Sequence, residues 1–221
     1  MNQPVNPAKK TPRKSWRLIA FILLPVILAG ALGLFLNHFN YWPFQGDKVA
    51  GVPDDQLVQL ENEPDLTSLL LAYGSQLKFN TTATSLTVYF DHYKNGEISA
   101  HETVASLMYE QDVPLNGYLN FGITKGQNQL LVDLFSKGAL SQTVTDLSDY
   151  DFPLGQDNRQ FSAVTSIKNG KVNISRNKKI PLLYLAEGTD GGKIYAEMAN
   201  NLAPENLKTL PNAYLLYLII K

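Results

Sequence analysis

The stretch that decides the fold is SLTVYFDHYKNGEISAHETVASLM, residues 85–108. It reads as two strands around Asn95-Gly96. Asn-Gly supplies the positive φ angles of a type I′ turn, whose twist matches the strands it joins. Ser85–Tyr93 and Ile98–Met108 are rich in β-branched and aromatic residues. A two-residue loop sets Lys94 against Glu97, Tyr93 against Ile98, His92 against Ser99 and Phe90 against His101. Leu86, Val88 and Phe90 alternate onto a core face, leaving Tyr89 and Tyr93 on the opposite, solvent face.

Outward from this hairpin the pattern repeats. Gly117–Thr124 and Gln129–Ser136 flank Lys125-Gly126 with alternating Leu119, Phe121, Ile123 and Leu130, Val132, Leu134. Residues 138–158, punctuated by Gly155, Pro153 and aspartates, read as a long loop or crossover. A third hairpin is expected between Phe161–Ile167 and Val172–Ser175 around Asn169-Gly170. Ile180–Glu187 and Tyr214–Ile220 are nearly continuous apolar runs, the second suited to a buried central strand. Short helices are expected over Leu66–Tyr73, with a strand as the alternative there, over Ile194–Asn201 and after Pro204. Seven or eight strands at hairpin spacing predict a mainly β fold. The expected form is an antiparallel β-sandwich-like domain with one to three short helices, the alternative being an antiparallel sheet covered by helices.

N-terminal to the domain lies LIAFILLPVILAGALGLFL, residues 18–36, without a charged side chain. Nineteen residues at 1.5 Å each give roughly 28 Å, close to the hydrocarbon thickness of a bilayer. Lys9, Lys10, Arg13, Lys14 and Arg17 precede it, and no acid appears before Asp47. That bias orients the N-terminus to the cytoplasm and the remainder outside. Trp16, Tyr41 and Trp42 flank the run as interfacial aromatics. A cleaved signal peptide is the competing reading; the apolar run continues past Ala29-Gly30-Ala31 and favours an uncleaved signal-anchor. The organisation expected is a basic tail (1–17), a transmembrane signal-anchor (18–36), an acidic Pro/Gly spacer (37–64) and an extracytoplasmic β domain (65–221). Fully extended, the spacer would reach up to about 90 Å.

From Leu18 onward the chain carries 14 basic and 20 acidic residues, a balance that disfavours nucleic acid as a partner. There is no cysteine, which removes disulfides, thiol nucleophiles and lipid-modified cysteine together. It also suits a bacterial exterior better than a eukaryotic secretory lumen.

Four groups of residues carry possible chemistry. His92 and His101 share one face in the register above, with Cβ atoms about 7 Å apart or less, near enough to share a metal. Asp146, Asp149 and Asp151, followed by Asp157 and Asn158, offer oxygen ligands for calcium without EF-hand spacing. Lys168, Lys171, Arg176, Lys178 and Lys179 form a basic cluster suited to an anionic polymer or lipid headgroups. Tyr89 and Tyr93 make an aromatic platform for a glycan or an envelope protein. Gly155-Gln156-Asp157-Asn158-Arg159 is superficially similar to the Gly-Asp-Asn-Arg box of type I signal peptidases. Gln156 interrupts it, and the Ser-Met and lysine boxes of that family are missing. No Walker loop, dinucleotide fingerprint, His-Glu-x-x-His or Gly-x-Ser-x-Gly elbow occurs, so no catalytic residue or cofactor is assigned. The sequence thus predicts a membrane-anchored binding or scaffolding module without enzymatic activity. The alternatives are a tethered hydrolase or transferase using carboxylates from Asp146 to Asp157, and a metal- or calcium-responsive sensor.

Overall fold

The computed structural model describes residues 13–60, 70–152, 161–165, 170–187 and 210–221. Helix α1 (Arg13–His38) is followed by β1 (Gln56–Gln59), β2 (Leu71–Lys94), β3 (Glu97–Thr124), β4 (Gln129–Ser136) and β5 (Ala139–Asp146). A 3-10 turn (Leu147–Tyr150) leads to β6 (Phe161–Thr165), β7 (Lys171–Asn173), β8 (Ile180–Glu187) and β9 (Asn212–Ile220). Among the described residues these strands form one antiparallel sheet in the order β5-β4-β3-β2-β9-β8-β6, with β1 pairing β2 and β7. The result is a mainly β domain behind one apolar helix, as the sequence predicts.

The Asn95-Gly96 turn forms, but the strands it joins run far beyond the predicted hairpin. The 24 residues of β2 and the 28 of β3 organise the whole sheet. Their ladder breaks where Ala83 faces Val113 and Ser85 faces Met108, so residues 109–112 of β3 bulge against Thr84 alone. Bulges increase twist and bend strands. Before this break β2 is flanked by β1, and after it by β9. One core gathers side chains from both halves: Leu77, Phe79, Leu119 and Phe121 from the first, Leu86, Val88, Leu216 and Leu218 from the second. The Ser106 amide of β3 donates to Ser141 Oγ of β5 at 3.1 Å, which ties the β5 edge to the part of β3 that faces Thr87.

Several expectations change. Residues 139–146, predicted as loop, form β5 after a tight Lys137-Gly138 turn in which both residues have positive φ. The third hairpin does not pair as predicted: β6 lies on β8 while β7 lies on β1. A nearby Asn-Gly signals a turn but does not dictate which strand the next segment joins. Tyr73, assigned to a short helix, belongs to β2; residues 66–69 of that helix, and the helices predicted after Gly188, lie outside the described residues. β9 is buried between β2 and β8, as its apolar run requires.

The 37–64 stretch, expected to be an irregular spacer, is folded onto the domain as far as Leu60. Asn40 is buried, and its Nδ2 donates to Val52 O at 2.7 Å and to Asp54 Oδ1 at 3.0 Å. Asn80 of β2 accepts from the Val49 amide and donates to the carbonyls of Val49 and Val52. Lys48 pairs with Asp54 at 2.6 Å, and β1 adds its backbone to the sheet. Asp55 accepts from the Thr81 hydroxyl at 2.7 Å.

Candidate functional site

Register decides how the polar side chains are grouped. Tyr93 faces Ile98 as predicted, yet His92 faces Ala100, because Ser99 is bulged out of the ladder. One extra residue moves everything beyond it to the other face. His101 therefore lies opposite Asp91, and Glu102 opposite Phe90. The two histidines sit on opposite faces of the sheet, and the shared metal site inferred from their diagonal pairing is not formed. Among the described residues no three His, Asp or Glu side chains gather as metal ligands.

The acidic turn is likewise occupied by local structure. Asp146 caps the 3-10 turn by accepting from the Ser148 amide at 2.9 Å, which holds its carboxyl below the usual carboxylate range. Asp151 pairs with Lys94 at 2.9 Å. Asp149 is exposed at the turn, and residues 153–160, which include Asp157, lie outside the described residues.

On the outer face of β2, Asp91 is completely buried and receives four donors. His101 Nδ1 lies 2.6 Å and the Tyr217 hydroxyl 3.4 Å from Oδ1; the Tyr93 hydroxyl lies 3.1 Å and Lys179 Nζ 3.2 Å from Oδ2. A carboxylate has about four acceptor positions, so this group is saturated. The surrounding rings fix the donors in place. Tyr89 stacks on both His101 and Tyr217 with centroids 5.2 and 5.3 Å apart, and Lys179 Nζ lies 4.1 Å over the Tyr217 ring. Burial, and then the Asp91 charge, push the Tyr93 hydroxyl up to about 12 and that of Tyr217 higher still. Tyr184, which packs beside Tyr93, is raised as well, by burial first. The two nitrogen donors remain accessible: the His101 side chain is 52% and Lys179 49% exposed, against 0% for Asp91.

This knot joins residues that the sequence had placed in separate surfaces. Lys179 and Tyr89 meet at Asp91, while Tyr93 is buried as support rather than exposed as platform. The remainder of the basic cluster disperses. Arg176 is committed to Asp112 and the Thr82 carbonyl. Lys171 and Lys178 are exposed and have no ion-pair partner among the described residues, and Lys168 lies outside them. Sequence reasoning missed Asp91 and Tyr217. An aspartate inside an aromatic strand was the available signal, since acids are depleted there unless paired.

The other face carries a second relay. His92 is buried and stacks on Tyr214 at 4.7 Å. Its Nδ1 is 2.8 Å from Ser99 Oγ and its Nε2 3.0 Å from Asn212 Oδ1, while Asn212 Nδ2 donates to Glu187 Oε2 at 2.7 Å. Glu187 accepts from the amide nitrogen, so Asn212 presents its oxygen to the ring. Nε2 consequently donates to Asn212, and the Ser99 hydroxyl lies within hydrogen-bond distance of both Nδ1 and the His92 carbonyl.

Helix and sheet together define a membrane-anchored protein with a β-rich extracytoplasmic domain. The apolar window Ile19–His38 is long enough to cross a bilayer, and none of it is buried against the domain. No protein-family model matches the chain, and no curated protein or solved structure is significantly similar to it.

Proposed function

We propose that the protein is a single-pass, uncleaved signal-anchor protein of a bacterial envelope. Its sandwich-like β domain binds or scaffolds an anionic polymer or an acidic envelope protein without catalysing a reaction. The observation that supports this is the Asp91 knot. A buried carboxylate holds two half-exposed donors, the Lys179 ammonium and the His101 ring, in fixed positions beside stacked tyrosines. Positions fixed in advance lower the ordering cost of binding. The surface comprises Lys178, Lys179, His101 and Tyr89; Lys171, on β7 beside the first half of β2, is a separate basic contact of the same segment, to which Lys168 also belongs. Tyr93 supports it from within the domain, and Arg176 ties the same segment to Asp112 and Thr82.

The test uses full-length protein in nanodiscs with a purified polyol-phosphate wall polymer, followed by calorimetry. The Lys171→Glu, Lys178→Glu double variant leaves Asp91 untouched and is expected to lose most of the binding, with steep salt dependence in the parent. Unchanged binding in the variant, or none in the parent, rejects this surface.

A second reading, a tethered hydrolase, is favoured by the Ser99–His92–Asn212–Glu187 relay rather than by the aspartates first considered. Its polarity is that of a serine hydroxyl facing a base whose tautomer is fixed by a third group. Labelling of Ser99 by a fluorophosphonate, abolished in His92→Gln, is the expected signature. No labelling of the folded protein ends that reading.

A further inference from the structure

We infer that the segment just beyond the helix is a membrane-seating collar, and that the domain is clamped to it. The outer surface of the bilayer is then the domain's permanent contact. The twenty residues Ile19–His38 span roughly 30 Å as a helix, the thickness of the hydrocarbon layer. Residues 39–44 therefore emerge at headgroup level. There Trp42 is 81% exposed, Phe44 47% and Tyr41 40%. Such rings, apolar in body and, for Trp and Tyr, polar at one end, favour this zone over either water or hydrocarbon. The exposed patch is continuous with the membrane helix, which identifies its occupant as lipid rather than a protein partner.

The collar has a defined shape. The Tyr41 amide donates to Leu36 O at 2.8 Å, and the Tyr41 ring stacks on Phe35 at 6.2 Å. The Gly51 amide closes back onto Phe39 O at 2.8 Å. From the domain side, Asn80 grips Val49 and Val52, the Asp55 amide donates to Asn80 O, and Asn116 Nδ2 donates to Asp47 O. All of these domain residues lie beside the break in the β2–β3 ladder. The bend therefore faces the bilayer and the Asn95-Gly96 tip points away from it. Asn80 and Asp91 are eleven positions apart along β2, at most about 36 Å of strand, so the knot works within a bounded height above the lipid.

The experiment uses the full chain carrying Trp16→Phe, a change confined to the N-terminal tail that leaves Trp42 as the only tryptophan. It is reconstituted in phosphatidylcholine vesicles whose acyl chains are brominated either near the headgroup or deep in the chain. The expected result is loss of most Trp42 emission with shallow bromines and clearly less with deep ones. In the same vesicles, hydrogen exchange is expected to show the amides of Tyr41, Gly51 and Asp55 protected to the level of the β2 core. Equal emission with and without bromine overturns the seating, as does stronger quenching by deep bromines. Quenching accompanied by unprotected exchange at Gly51 and Asp55 overturns the clamp.

Discussion

Replacing Asp91 by asparagine keeps the shape of the side chain and removes the charge that organises the outer face. Two unit charges about 3 Å apart attract by roughly 5 kcal/mol at an effective dielectric of 20. That gross figure is reduced on both sides. Lys179 and His101 are about half exposed and regain water once released, while Asp91 in the parent has already lost its own hydration. Charge-assisted hydrogen bonds also weaken, and the two amide hydrogens of the introduced asparagine face donors instead of acceptors. The net expectation is about 2 kcal/mol of lost stability, or a fall in Tm of about 4–8 °C for a domain of this size. Thermal and urea unfolding of the detergent-solubilised protein measure it, with Lys179→Met and the double variant completing a cycle. The cycle should show a coupling of about 1 kcal/mol or more between positions 91 and 179. Additive single effects, or an asparagine variant as stable as the parent, refute the view that the buried carboxylate holds the knot together.

Alkaline pH probes the same cluster from the tyrosine side. Tyr93 has a folded-state value of about 12 against 10 unfolded, so its contribution is intact below pH 10 and lost as pH climbs from about 10 to about 12. Tyr93→Phe should flatten that loss in urea midpoints measured across the range; an unchanged slope contradicts the assignment. Gly117 is a packing glycine, because a Cβ there would come 1.9 Å from the Phe135 carbonyl oxygen. Gly117→Ala should cost more than about 3 kcal/mol and disturb β3–β4 pairing, a large effect by the usual measure. Gly126→Ala, at φ +76° with open space around it, should cost only about 1–2 kcal/mol. Comparable melting of the two variants would contradict this distinction. Asn80→Ala should lower stability by about 2 kcal/mol and accelerate exchange of the Val49 amide, while the core of β9 keeps its protection.

What was legible in the sequence was what local chemistry dictates. Asn95-Gly96 and Lys125-Gly126 marked turns because positive φ is cheap only for a few residues. β9 was legible because seven apolar residues in succession suit only a strand covered on both faces. The bend at 109–112 was not legible, since Tyr109-Glu110-Gln111-Asp112 carries no breaker; it follows from β2 meeting β1 along one half and β9 along the other. β5 was missed despite its alternation because the aspartates beyond it made the region read as loop. β7 was assigned to its neighbour in sequence, whereas β1, more than a hundred residues earlier, provided the edge it joined. Nonlocal pairing of this kind leaves no mark in a short window.

The Ser99 bulge shows how one residue connects register to chemistry. In an unbroken ladder His101 would share the face of His92, Asp91 would face Ala100, and a carboxylate with no polar neighbour across the strand would be buried. That arrangement is costly, because a buried charge needs donors. Bulging Ser99 brings His101 directly opposite Asp91, and the displaced Ser99 hydroxyl is itself taken up by His92 Nδ1. Each histidine thus gains its own partner on its own face, so the irregularity satisfies polar groups on both sides of the sheet. Ser99→Ala should consequently weaken the His92 relay while leaving the Asp91 knot in place. Deleting Ser99 should restore a regular ladder and remove His101 from Asp91, leaving Tyr93, Tyr217 and Lys179 as its donors. Histidine NMR titrations on the two variants separate these outcomes. An intact His101–Asp91 contact in the deletion variant would show that something other than the bulge sets the register.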